Sequence, residues 1–182
     1  MSEGKMVMGN GTDLVMLARI RWKGTTDFDG LLRMMHGWFT GQEYDLLETR
    51  FKHRTKPQGS EMEINWKAWR DANPFLRNWI YVYFHIWDYK DVEVIKDGKK
   101  RTLGKFRMLI DFRIDIEADY EGRWLNSAFK RWLLTSYLKH IYKQQLDNIW
   151  TDKLWYKGHQ LHQETKQYLG MSAHSDVYDD MW

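Results

Sequence analysis

The chain is expected to fold as α+β, with a curved antiparallel β-sheet of about five strands covered on one face by an N-terminal helix and a long C-terminal helix. Three observations lead there. Apolar spacing alternates in residues 17–24 and turns helical in residues 25–41. Two alternating stretches are each broken by a turn signal, "KPQG" at 56–59 and Asp97-Gly98. From Leu125 to Leu169 the spacing is helical again and contains no proline. The predicted order is therefore β-α-β-β-β-β-α.

In "LARIRWKG" (17–24), Ala18, Ile20 and Trp22 point one way and Arg19, Arg21 and Lys23 the other, the mark of a half-buried strand. In "TTDFDGLLRMMHGWFTG" (25–41), Phe28, Leu31, Leu32, Met35 and Phe39 share one helical face. Thr26 is the expected N-cap with Asp29 as its partner, and Gly41 is the expected stop. The strands "YDLLETRFKHRT" (44–55) and "SEMEINWKAW" (60–69) close with Thr55 opposite Ser60. That register sets Arg54 against Glu61, Lys52 against Glu63 and Glu48 against Lys67. On the other face it sets Phe51 against Ile64, Thr49 against Trp66 and Leu47 against Ala68. A slip of one residue would scramble both faces.

The next strand carries "RNWIYVYFHIWDYK" (77–90), an unusual concentration of aromatic mass. Folding about Asp97-Gly98 sets Trp87 opposite Met108, His85 opposite Ile110, Tyr83 opposite Phe112 and Tyr81 opposite Ile114. In this register Trp79, Tyr81, Tyr83, His85 and Trp87 face the core, while Phe84 meets Asp111 and Val82 meets Arg113 on the other face. The final helical run would span about 68 Å as one helix, so a break near Asp147–Asp152 or a projection beyond the sheet is expected. Its first part is apolar on two sides, with Leu125, Phe129, Trp132, Leu133 and Tyr137 on one and Leu134, Leu138 and Ile141 on the other. Its last part has a single stripe through Trp150, Leu154, Leu161, Tyr168 and Leu169.

In outline this layout resembles a trimmed helix-grip (START-like) fold, with fewer strands than that fold has and no shared sequence motif. The resemblance implies architecture alone. One domain is expected at 17–170, between a flexible Gly- and Met-rich leader (1–16) and an acidic, flexible tail (171–182). The aromatic content of 16%, with 11 Trp, argues against disorder in the middle of the chain. The absence of Cys excludes disulfides, a thiol nucleophile and thiolate metal sites. The longest apolar run, "WIYVYFHIW" (79–87), is far shorter than the roughly 20 residues of a membrane-spanning helix. With no signal-peptide pattern at the N-terminus, a cytoplasmic location is expected. A net charge of +3 is mildly basic, below the excess typical of dedicated nucleic-acid binders.

Several residues have functional chemistry at a suggestive spacing. His85 titrates near neutral pH, but inside a core row it reads as a buried, hydrogen-bonded histidine with no carboxylate beside it on its own strand. Asp111, Arg113, Asp115 and Glu117 share a face; carboxylates at this spacing can hold a divalent ion, yet the intervening Arg113 makes them a solvated charge ladder. His159 and His162, with His140 upstream, have a helical ligand spacing but no third ligand. Glycine-rich phosphate loops and nucleophile turns are absent, so no metal, no cofactor and no named reaction are expected.

Three functions compete. The first is a non-enzymatic binding or assembly protein whose long C-terminal helix and tail contact a protein partner or a second copy. Its interface would be Leu134, Leu138, Ile141, Tyr142, Ile149 and Trp182. The second is a small hydrophobic or aromatic ligand in a cavity between sheet and long helix, walled by Trp79, Tyr81, Tyr83, His85, Trp87, Phe112 and Trp132. The third is nucleic-acid binding through the basic hairpin 96–107, with Lys96, Lys99, Lys100, Arg101 and Lys105 meeting phosphates.

Overall fold

The computed structural model describes residues 12–96, 99–122, 127–137 and 150–171. The chain has the expected α+β architecture, built on one open antiparallel sheet. Its strands are β1 (Thr12–Thr26), β2 (Asp45–Lys56), β3 (Gly59–Asp71), β4 (Leu76–Lys96) and β5 (Lys99–Ala118). They lie side by side in the order β1-β5-β4-β3-β2. The helices are α1 (Phe28–Gly41), α2 (Ala128–Tyr137) and α3 (Asp152–Tyr168). β1 starts within the stretch the sequence assigns to a leader.

Helix α1 buries Phe28, Leu31, Met35, Trp38 and Phe39 against the sheet. Its cap is Asp27 rather than Thr26, and the Asp27 carboxylate accepts from the Gly30 amide at 2.9 Å. Helix α3 buries Leu154, Gly158, Leu161, His162 and Thr165. It comes so close to the sheet that a Cβ on Gly158 would sit 1.9 Å from Ile114 Cδ1. His162 meets Phe112 edge-on at 5.8 Å. Two bonds tie the end of this helix to the sheet and to α1: Trp22 Nε1 donates to the Leu169 carbonyl at 3.0 Å, and Tyr168 donates to the Asp27 carbonyl at 3.0 Å. The space between sheet and α3 is close-packed at these contacts.

Both hairpins begin in the expected register and then leave it by one residue. In the first, Thr55 faces Ser60 and Phe51 faces Ile64, but a bulge between Glu48 and Arg50 leaves Leu47 opposite Lys67 and Glu48 opposite Trp66. The expected Glu48–Lys67, Thr49–Trp66 and Leu47–Ala68 pairs therefore do not form. Glu48 instead accepts a hydrogen bond from Trp66 Nε1 at 3.2 Å.

The second slip reverses the aromatic row. The ladder runs from Lys96 opposite Lys99 to Lys90 opposite Lys105, then shifts so that Trp87 faces Arg107. Asp88 and Tyr89 occupy the bulge. Asp88 adopts φ 57°, a left-handed conformation that Asp tolerates better than most side chains. Gly59, at φ 140°, allows β3 to approach this point, since a Cβ there would lie 2.7 Å from the Asp88 carbonyl carbon. Tyr89 packs against Phe106 at 5.4 Å, and burial pushes its hydroxyl pKa up to about 12.

Upstream of the bulge every side chain of β4 changes face. Ile80, Val82, Phe84 and Ile86 enter the core, where Val82 faces Phe112 and Phe84 faces Ile110. Trp79, Tyr81, Tyr83, His85 and Trp87 lie on the opposite, open face, with Tyr81 beside Arg113 and Tyr83 beside Asp111. The expected inward placement of the row is thus corrected by one extra residue at Asp88–Tyr89. Burying the four aliphatic and aromatic side chains stabilises this register by about 1.5–3 kcal/mol each.

Candidate functional site

The open face is built outward from β4. Along that strand, the Trp79 and Tyr81 rings lie 6.1 Å apart and nearly parallel, and His85 stacks on Trp87 at 3.9 Å. Across the ladder, Trp69 of β3 adds a ring 5.9 Å from Trp79. Row residues from Trp79 to Trp87 are half-buried, and no described element packs over them. At about 3.3 Å per residue the row is about 26 Å long.

Cations frame the rings. Lys67 Nζ lies 4.2 Å from the Trp79 ring centre, and Arg77 sits 5.7 Å from the same ring. Arg113 is 6.0 Å from Tyr81. Beside these residues runs an open groove of about 580 Å³, with Tyr81 and Tyr83 at its base, Thr49, Asn65 and Lys67 along one flank, and Asp111, Arg113 and Asp115 along the other. Burial raises the hydroxyl pKa of both tyrosines, so they remain neutral donors.

The acids of β3 and β5 on this face are all engaged. Arg19 binds Asp111 at 2.6 Å, Arg113 binds Asp115 at 2.9 Å, and Arg77 binds Asp71 at 2.5 Å. Trp79 Nε1 donates to Glu117 at 2.6 Å. Glu61 meets Lys56 and His85, and Arg50 lies 3.5 Å from Glu63. By contrast, Arg21, Lys23, Lys52, Arg54 and Lys67 form no ion pair among the described residues. The uncompensated charge of this face is therefore positive.

The residues expected to wall one cavity are separated. Trp79, Tyr81, Tyr83, His85 and Trp87 stand on the open face, Phe112 is buried in the core beneath α3, and Trp132 on α2 is 64% exposed. His85 is not a core histidine, and its carboxylate neighbour comes from the adjacent strand. Of the basic hairpin, Lys100, Arg101 and Lys105 are exposed, and Lys96 and Lys99 pair at its tip. Among the proposed interface residues, Leu134 falls on α2, whereas Leu138, Ile141, Tyr142, Ile149 and Trp182 lie outside the described residues.

Lys67, Trp69, Glu61 and Glu63 were absent from the expected site. A signal for the true face was present. On β5, Phe106 to Ile116 alternate with Arg107, Asp111, Arg113 and Asp115, so its wet side is plain. The row on β4 is made of Trp, Tyr and His, which carry polar atoms, whereas Ile80, Val82, Phe84 and Ile86 bear only apolar side chains.

Fold and site define an α+β protein with one aromatic and cationic face of an open sheet that no described element covers. No protein-family model matches the chain, and no curated protein matches it.

Proposed function

We propose that the open sheet face binds single-stranded nucleic acid. The observation that carries this reading is the row of half-buried rings from Trp79 to Trp87 on the open face, flanked by cations such as Lys67 that form no ion pair among the described residues. Unpaired bases stack on such rings at about 1–3 kcal/mol per base, with little regard to sequence. Lys67, Arg54 and Lys52 on one side and Arg21 and Lys23 on the other supply charge for the phosphates. Lys105 and Lys90 extend that charge toward the basic hairpin. A duplex keeps its bases stacked inside and leaves the rings without a partner.

Fluorescence anisotropy with a labelled oligothymidine of about 12 nucleotides tests the reading. Affinity is expected to exceed that for a duplex of equal length and to fall steeply between about 50 and about 200 mM salt. Lys67→Ala is expected to weaken binding and flatten the salt dependence. Undetectable binding at low salt, or an equal preference for duplex, contradicts it.

A second reading concerns assembly. On α2, Phe129, Trp132 and Leu133 are 68%, 64% and 40% exposed, and the first two rings stack at 6.2 Å. An uncovered apolar helix face of this kind supports contact with another protein chain, the role expected for the C-terminal helical region. Light scattering after size exclusion checks the self-association form of this role. A strict monomer whose mass is unchanged by Trp132→Asp counts against it.

A further inference from the structure

We propose that His85, Glu61 and Glu63 form a binding site for a divalent transition-metal ion. Glu63 faces His85 directly across the β3–β4 ladder, and Glu61 stands next to it on the same face. The ligating atoms of the three side chains lie within 4.8 Å of one another, and His85 Nε2 is 2.8 Å from Glu61 Oε1. Two ligands on one metal at bond lengths near 2.0–2.2 Å stand about 3 Å apart, so closing the set requires only a small swing of Glu63.

The surroundings prepare each ligand. Trp87 stacks on the imidazole at 3.9 Å and fixes its plane. Tyr83 Oη lies 3.3 Å from Nδ1, where it accepts a hydrogen bond from Nδ1–H once Nε2 turns its lone pair to a metal. Lys56 ion-pairs with the Glu61 carboxylate, and a carboxylate is the form that ligates a metal. Lys56 contacts Oε2 of Glu61, leaving Oε1 turned toward His85. The Glu63 partner Arg50 is 53% exposed, and an ion pair of that kind yields easily to a dication. With one imidazole, two carboxylates and no thiolate, the site suits Zn²⁺, Ni²⁺ or Co²⁺ and leaves positions open for water or an anionic ligand. It does not depend on nucleic acid binding to the same face.

Isothermal titration of the full chain with zinc chloride provides the test. One site is expected, weakened at least about tenfold by His85→Ala and by Glu63→Gln, with circular dichroism unchanged in both. No heat of binding overturns the proposal, as does an affinity that both variants leave intact. Histidine-ring NMR of the unaltered protein gives an answer that needs no variant. Zinc is expected to move the His85 ring signals, and saturation that moves only His159 or His162 overturns the assignment.

Discussion

At the scale of single residues, the two sides of β4 differ in what they contribute. Phe84 is fully buried and touches Trp66 edge-on at 5.2 Å, so Phe84→Ala is expected to cost about 3–5 kcal/mol in urea unfolding. Tyr83, one residue away on the open face, is expected to cost about 1 kcal/mol or less when replaced by Ala. Equal losses would place both side chains in the core. Glu61 makes a further prediction. Lys56 and His85 favour its ionised form, which lowers its pKa from 4.5 to about 2 in the folded chain. A lowered folded-state pKa gives stability that is complete above 4.5 and is lost as pH falls toward about 2. The stability advantage of the natural chain over Glu61→Gln should therefore shrink across that window when denaturant midpoints are measured against pH.

At the scale of elements, the bulge at Asp88–Tyr89 decides which face is wet. Its left-handed residue suits Asp or Gly and penalises a β-branched side chain. Asp88→Val is expected to destabilise by about 1–2 kcal/mol, and Asp88→Gly by less, despite the loss of the Arg107 ion pair. Helix α3 makes a second element-scale prediction. Gly158→Ala should gain up to about 1 kcal/mol of helix propensity if the helix stood alone. The added methyl meets Cδ1 of the fully buried Ile114, which must shift within the packed core, and a net loss of about 1–3 kcal/mol is expected. Thermal unfolding of the variant measures the sign.

How much was legible in the sequence also depends on these elements. The alternation of β1, the α1 face and the hairpin registers that start at Lys56–Gly59 and Lys96–Lys99 could be read because each rests on spacing or on a local turn residue. The faces of β4 could not be read by counting inward from Asp97-Gly98, because a one-residue bulge leaves the ladder from Lys96–Lys99 to Lys90–Lys105 unchanged and inverts everything beyond it. The cost of the uninverted register was nonetheless visible, since it placed Val82 against Arg113 and Phe84 against Asp111. The Glu61–His85–Glu63 cluster was hidden for a different reason. Its members come from two strands, and only the β3–β4 register brings them together.

At the scale of the whole molecule, the helices and the sheet divide the work. Helices α1 and α3 seal one face of the sheet, and the other carries the rings, the free cations and the histidine–carboxylate cluster. Among the described residues no helix is long and apolar enough to cross a membrane. The function proposed for this face requires the row from Trp79 to Trp87 to be a binding surface rather than part of the core. The most direct measurement compares the natural chain with a Trp79→Ala, Tyr81→Ala double variant in oligothymidine anisotropy, with urea unfolding of both proteins alongside. At least a tenfold loss of affinity is expected, roughly the loss of one stacked base, with a small change in unfolding midpoint. Unchanged affinity, or a collapse of stability like that expected for Phe84→Ala, would contradict it.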